Sequence, residues 1–399
     1  MTAAATALPV RAVKLPRNRV LPVLMIAAAT AAIACGFVDL APNRLVSGRP
    51  VMLWQATASG YTIALAACGA ILFAAGFAAP RRWLAFSAAI VAGAGLIIVL
   101  AAAGDVAAML SAAAPPAARV SLGAGFWIVL ACAALALIDA LQRADAGAAV
   151  QFLPAALVAA GFVALAEGGW FDALSLAREF ATRRDVFAAA VLRHAVLVAA
   201  SVGPALLIGV PLGLAALRKT RFEGPLFAVL NLLQTVPSIA LFGLMLVPLS
   251  ALGQAVPALR ALGVGGVGPA PAIIALTLYA LLPIARNTLV GIGGVAPAAI
   301  EAARGMGMTS RQVFWQVEVP LALPVLLAGL RVVTVQAIGL AVVAALIGAG
   351  GLGSFVFEGL GQYATDLVLL GALPAIVLAL AVDFLLRLTA AALGRRYAP

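Results

Sequence analysis

Charge is scarce in this sequence. Asp, Glu, Lys and Arg together make up 10% of 399 residues, where a soluble domain carries about a quarter. That excludes an ordinary water-soluble fold. Histidine is almost missing: His194 stands alone, which excludes a metal centre built on imidazoles. The three cysteines, Cys35, Cys68 and Cys132, each lie inside an apolar run and form neither a metal-ligand spacing nor a disulfide framework. No paired carboxylates, nucleophile–base set or ligand cluster occurs, which argues against an enzyme and against any bound cofactor or metal. Acidic residues number 14 against 25 basic ones, a formal charge of +11. Here the basic residues sit between apolar runs, where they orient helices, so no nucleic-acid partner is expected.

What the sequence has is apolar length. Hydrophobic residues make up 65% of it and the mean hydropathy is +1.16. Apolar segments of about 20 residues mark membrane spans, because a helix satisfies its own backbone in lipid. They fall at roughly 20–41, 60–80, 84–104, 123–141, 149–166, 192–217, 225–248, 269–290, 325–347 and 366–390. The expected fold is an all-α polytopic membrane protein of about ten transmembrane helices. Arg11, Lys14, Arg17 and Arg19 before the first span resemble the start of a signal peptide, but the following stretch is long enough to span, so an uncleaved first helix is expected. "AAIAC" up to Cys35 lacks the Leu that a lipoprotein cleavage box prefers at Ala32.

The sides follow from the placement of Lys and Arg. One set of connections carries the N-terminal cluster, Arg81, Arg82, Arg143, Arg218, Lys219, Arg221, Arg304, Arg311, Arg395 and Arg396. The other carries Arg44, Arg49, Arg119, Arg260 and the group Arg178, Arg183, Arg184 and Arg193. The richer side is cytoplasmic, which puts both termini on the cytoplasmic face of the membrane. The segment "FDALSLAREFATRRDVFAAAVLRH" reads as an amphipathic interfacial helix on the outer side, with His194 also at the interface.

"IGAGGLG", Ile347 to Gly353, fits the spacing G-x-G-x-x-G. It follows a span instead of a strand, and no Lys-Ser or Lys-Thr follows it, so it is not a phosphate cradle. Its glycines instead suit a sharp exit from a helix and close helix packing. Gly350 and Gly351 are candidates for an outer gate, followed by a short re-entrant or interfacial helix in "GLGSFVFEGLGQ".

The loop 301–324, "EAARGMGMTSRQVFWQVEVPLALP", carries the most information. Its apolar spacing predicts two short helices with a bend at Gly305–Gly307, the second capped by Thr309 or Ser310 and ended by Pro320. Glu301, Ala302, Ala303, Gly307, Val317, Val319 and Pro320 fall on the pattern E-A-A-x3-G-x9-I-x-L-P, with Val in place of Ile and Leu. This resembles the permease subunits of ATP-binding cassette importers. "LQTVPSIALFGL", "LYALLPIARNTLVGI", "EAARGMGMT" and "LIGAGGLGSFVFEGL" narrow the resemblance to permeases for glycine betaine, choline and carnitine, over roughly residues 190–390.

The resemblance implies a type I importer permease core of five helices in residues 181–399, with loop 301–324 coupling it to an ATPase subunit. It implies ABC ATPase partners, a periplasmic or extracellular solute-binding protein and a second permease chain, identical or a shorter homologue, in membrane lipid. Residues 1–180 hold no second E-A-A loop. They are expected to form an accessory region of about five spans, as in a subset of osmoprotectant permeases.

Polar residues inside spans face a cavity or a partner. Gln234, Thr235, Pro237 and Ser238 interrupt the seventh span, and Tyr279 and Asn287 lie in the eighth. All six are candidate pathway residues, with a plain packing kink as the other reading of the first four. Arg286 is expected to anchor at the interface or pair with a carboxylate. Asp139 with Arg143, and Asp383 with Arg387, have the i,i+4 spacing of local neutralisation. The expected function is an osmoprotectant importer permease. The alternatives are an amino-acid or methionine importer permease and an ion-coupled secondary carrier, which would leave the loop unexplained.

Overall fold

The structure is a computed structural model that describes residues 18–397 except 45, 57–58, 80, 145–147 and 262. The basic residues Arg11, Lys14 and Arg17 lie outside the described residues. The chain divides into two compact units, Met1–Ala181 and Thr182–Pro399. Among the described residues, seven helices are long and apolar enough to cross a membrane, and three shorter apolar helices accompany them.

The first unit contains α1 (Val20–Ala34), β1 (Val38–Ala41), β2 (Arg49–Val51), α2 (Leu53–Ala56), α3 (Ser59–Ala75), α4 (Arg82–Ala113), β3 (Arg119–Leu122), α5 (Ala124–Ala144), α6 (Ala148–Glu167) and α7 (Ser175–Thr182). The expected first span, 20–41, is therefore corrected. Its helix ends at Ala34, and Val38–Ala41 is the centre of a three-stranded antiparallel sheet in the order β2-β1-β3. Tertiary pairing decides this. Both edges of β1 are taken, with Val38 opposite Val51 and Leu122, so its backbone donors and acceptors are satisfied between loops. The sheet gathers the connections after α1 and α4 at one end of the bundle, where Arg44 pairs with Glu179 at 3.4 Å. At the other end, the Asn18 amide nitrogen donates to Asp139 at 2.7 Å and its backbone N–H donates to Gly76 at 2.9 Å.

The second unit contains α8 (Arg184–Arg218), α9 (Thr220–Thr235), α10 (Ser238–Ala255), α11 (Pro257–Ala261), α12 (Pro269–Gly293), α13 (Pro297–Gly305), α14 (Ser310–Val313), α15 (Val319–Val343), α16 (Gly353–Gly361) and α17 (Thr365–Tyr397). The single helix expected over 171–194 is split, and α7 covers only Ser175–Thr182 of it. Residues 184–193 are instead the first turns of α8, and His194 is fully buried within it.

The α8–α12 seam explains the small residues of α8. Ser201, Ala205, Gly209 and Gly213 recur every four residues on one face. Thr277 of α12 donates to the Ser201 carbonyl at 3.1 Å. A Cβ built on Gly213 would lie 2.5 Å from the Ala285 carbonyl oxygen, so the two backbones approach as closely as glycine allows. Above this seam, Leu276, Ala280, Leu281 and Ile284 meet Val333, Ala337 and Ile338 of α15 in the largest buried cluster.

Both predicted Asp–Arg pairs form, at 2.9 Å for Arg143–Asp139 and 2.7 Å for Arg387–Asp383. Each aspartate also reaches beyond its own helix: Asp139 accepts from Asn18 just before α1, and Asp383 pairs with Arg331 of α15 at 3.2 Å. The pairs are thus crosslinks as well as local neutralisation.

Candidate functional site

Three places in the second unit hold the sequence-predicted residues. The first is the loop after α12. Pro297 starts α13, where its missing N–H costs nothing. The helix closes in a Schellman turn: the Gly307 N–H donates to Arg304 at 2.9 Å and the Met308 N–H to Ala303 at 3.2 Å. This turn requires Gly307 at φ +83°, the left-handed region. Thr309 then caps α14 in a reciprocal box, its hydroxyl accepting from the Gln312 N–H and its own N–H donating to Gln312 Oε1 at 2.8 Å.

The chain does not stop at Pro320 as the sequence suggests. One widened π turn, Phe314–Glu318, carries α14 into α15 without a break. In that turn the Val319 N–H bonds five residues back to Phe314. Pro320, in the first turn of α15, is thereby accommodated inside one continuous rod over Ser310–Ile347.

Of the motif residues, Ala303 is buried, Glu301, Ala302 and Gly307 are exposed, and Val317, Val319 and Pro320 are half-buried. Met306 and Trp315 are exposed at 77% and 60%, which leaves apolar surface on the loop without cover in this chain. Beneath the loop, Ile300, Phe314 and Val319 pack on Ile292, Val295 and Ala322, with Leu217 of α8 beside them. The Arg218 guanidinium lies 5.6 Å from the Phe314 ring centre. The loop therefore rests on the ends of α8, α12 and α15 together.

The second place is the break in the seventh span. Pro237 has no N–H and pushes Val236 into an extended conformation, φ −71° and ψ 125°, so α9 ends at Thr235 and α10 starts at Ser238. The carbonyl freed at Val236 accepts from the Tyr279 hydroxyl. Gln234 Nε2 returns a bond to the Tyr279 carbonyl at 2.7 Å. Gln234 and Tyr279 are thus brought together, with Thr235, Pro237 and Ser238 flanking the break. Asn287 is not part of this group. It lies two turns further along α12, donates to Pro283 at 2.7 Å and abuts Gly329 of α15. Arg286 next to it lies over the Phe227 ring at 5.0 Å instead of pairing with a carboxylate.

The third place is the glycine turn. Gly348, Gly350 and Gly351 all take positive φ, from 75° to 82°, and turn the chain from a short 3-10 stretch, Ala344–Ile347, into α16. Four contacts, none local in sequence, hold this turn and α16 to the start of α8. Arg193 Nε donates to the Ala349 carbonyl at 3.1 Å, and His194 backs on Gly351 with its Nε2 3.1 Å from the Ile338 carbonyl. Phe187 meets Phe355 at 6.1 Å between ring centres. Arg183 grips Glu358 with two nitrogens at 2.7 and 3.0 Å. Sequence reading missed Arg183, Arg193, His194 and Glu358 as a group. The one available signal was an acidic residue, Glu358, inside an apolar run.

A test of the Arg183–Glu358 pair follows directly. Arg183→Glu and Glu358→Arg should each lower the thermal midpoint in detergent, and the double reversal should recover most of the loss. The coupling should be about 1 kcal/mol, as suits a two-pronged but partly exposed pair. Additive losses in the double variant would show that the pair contributes nothing.

Comparison with known proteins gives two family matches. Residues 205–397 match the family described as binding-protein-dependent transport system inner membrane component, and residues 16–177 match the N-terminal domain of ABC transporter permease YehY. The chain is 42% identical over 203 residues to the osmoprotectant import permease protein OsmW of Salmonella typhimurium, covering 50% of this chain and 87% of that one. It is 44% identical over 179 residues to the carnitine transport permease protein OpuCB of Listeria monocytogenes, covering 45% and 75%. It is 39% identical over 184 residues to the glycine betaine/carnitine/choline transport system permease protein OpuCB of Bacillus subtilis, covering 46% and 77%. Among solved structures, the inward-facing MetNI methionine ABC transporter aligns at 23% identity and a TM-score of 0.44, over 53% of this chain and 98% of that chain.

Proposed function

We propose a function from the premise that this chain belongs to the family of binding-protein-dependent transport system inner membrane components. It is a multi-pass membrane permease of an ATP-driven importer for osmoprotectants, with glycine betaine or choline as the type of solute. The observation that carries this is the combination of 42% identity to an osmoprotectant permease over 87% of its length with the E-A-A loop built on α13 and α14.

The chain supplies the path and a separate ATPase subunit supplies the energy, so it is not itself an enzyme. Loop 301–324 is the surface that receives the ATPase. Glu301, Ala302, Gly307 and the exposed Met306 and Trp315 meet the partner, and Ala303, Val317, Val319 and Pro320 hold the shape. When two ATPases close on ATP, the loop moves with them. Its seat on Ile292, Val295, Ala322 and Leu217 passes that displacement to α8, α12 and α15 at once. ATP thereby shifts the population toward a state open to the outside.

The solute path runs past the broken helix, where Gln234, Thr235, Pro237, Ser238 and Tyr279 offer polar groups inside the membrane, with Asn287 further along α12. Gly350 and Gly351 lie at the outer gate. A solute-binding protein delivers the solute outside, and a second permease chain completes the path. Residues 1–180 form the accessory unit and 181–399 the transport core. Both termini face the cytoplasm, as the bias of Lys and Arg directs.

The test is uptake. Reconstituted with an ATPase and a solute-binding subunit, the chain should accumulate radiolabelled glycine betaine or choline only when ATP is supplied. Accumulation without the ATPase, or of methionine in preference to both, would overturn the proposal.

A further inference from the structure

The first unit has a feature that transport does not use. A cavity of about 510 Å³ opens between α1 and α3, backed by α4 and α5. Small residues create it: Ala29 and Ala32 on α1, Ala66 and Gly69 on α3, and Ala92 and Gly95 on α4. Among the residues lining it, the Thr62 hydroxyl and the Cys68 thiol are the only side-chain polar groups. Water needs two to four polar partners to stay in such a space, so a water-filled cavity is disfavoured. An empty one forfeits packing on every wall.

The cavity has the shape and the setting for one hydrocarbon chain. On α3 its lining runs from Thr62 to Phe73, about 16 Å of helix. That is close to one leaflet of a hydrocarbon core about 30 Å thick. The rim residues Ile26 and Ile33 of α1 are exposed at 58% and 70%, so the space opens sideways, toward lipid. The two helices that form the mouth are short, 15 and 17 residues, or about 22 and 25 Å.

Charge selects the lipid. At the end tied by Asn18 to Gly76, two exposed arginines, Arg19 and Arg81, flank α1 and α3. Neither helix contains an acidic residue. Asp139 at that end already faces Asn18 and Arg143. Trp83 is 60% exposed beside Arg82, as suits an aromatic side chain at headgroup level. We propose that the cleft between α1 and α3 holds one acyl chain of an anionic phospholipid, whose headgroup meets Arg19 and Arg81.

The experiment is native mass spectrometry of the full chain, purified in mild detergent from membranes of mixed headgroup composition, with phosphatidylglycerol as the added probe. The expected result is about one retained phospholipid per chain, enriched in anionic headgroups. Gly69→Leu fills the space, since a Cβ there meets only Met25 Sδ at 4.0 Å. It should reduce retention by roughly tenfold, the equivalent of about two buried methylenes. Arg19→Gln with Arg81→Gln should abolish the anionic preference while a phospholipid is still retained. These exposed substitutions also keep the test open should Gly69→Leu not fold, and Gly60→Leu, which meets nothing within 4 Å, is the control. Absence of retained phospholipid in the unsubstituted chain, or undiminished retention in folded Gly69→Leu, overturns the proposal. So does an anionic preference that survives loss of both arginines. None of these readouts involves uptake, so the outcome is independent of the transport function.

Discussion

Glu301→Lys is expected to abolish solute uptake and the solute-dependent stimulation of ATP hydrolysis, while the chain still inserts and purifies in normal yield. The separation of the two effects follows from where the residue sits. Glu301 is exposed on α13, a nine-residue helix whose one buried residue is Ala303. Reversing a charge on such a surface changes stability by no more than about 0.5 kcal/mol. It does reverse the sign on the loop proposed to receive the ATPase, where a like-charge contact would cost several kcal/mol.

Gly307→Val should give the same loss by a different route. A Cβ there meets nothing within 4 Å, so the chain itself has room for the side chain. The cost is conformational: at φ +83° a β-branched residue is strained by more than about 1–2 kcal/mol. Relief of that strain should open the Schellman turn and shift α13 relative to α14. Uptake and ATPase rates in reconstituted vesicles, with insertion checked by gel filtration, decide the matter. Wild-type rates in both variants would remove the coupling role from this loop.

Gly213→Leu should prevent the second unit from assembling. A built Cβ at Gly213 lies 2.5 Å from the Ala285 carbonyl oxygen and 2.7 Å from the Thr288 Cβ. Carbonyl and Cβ belong to the rigid part of α12, so neither can rotate away. A leucine forces α8 and α12 apart along the seam that also carries the Thr277–Ser201 bond. The expected cost is about 3 kcal/mol or more, read as a collapse of the monodisperse fraction and a lowered thermal midpoint. Gly243→Ala on α10, where a Cβ meets nothing within 4 Å, should leave both unchanged. Equal behaviour of the two variants would mean that the seam is not a tight contact.

Much of the loop was open to sequence reading because its signals are local. The turn at Gly307 closes between Ala303 and Met308, and Thr309 faces Gln312 three residues on. Such motifs depend only on backbone geometry within one or two turns. Pro320 misled for the same reason. A proline read locally ends a helix, whereas one added residue in the turn before it lets the rod continue. The break at Pro237 was visible, but its partner was not: Tyr279 lies 43 residues away and reaches Val236 because α12 packs beside α9 and α10.

The sequence by itself determined that the chain is a helical membrane protein, roughly where its helices cross, and which loop bears the family pattern. Hydrophobic length and short-range turn chemistry depend on neighbours in the chain, and those can be read from one sequence. Tertiary structure alone decided that Val38–Ala41 is a strand, that His194 is buried, and that Arg183 meets Glu358 across 175 residues. It also decided that small residues on α1, α3 and α4 leave an open cleft while those on α8 close onto α12. Those outcomes turn on which helix faces meet. An apolar helix in a lipid setting carries too little polar contrast around its circumference to say which face that is.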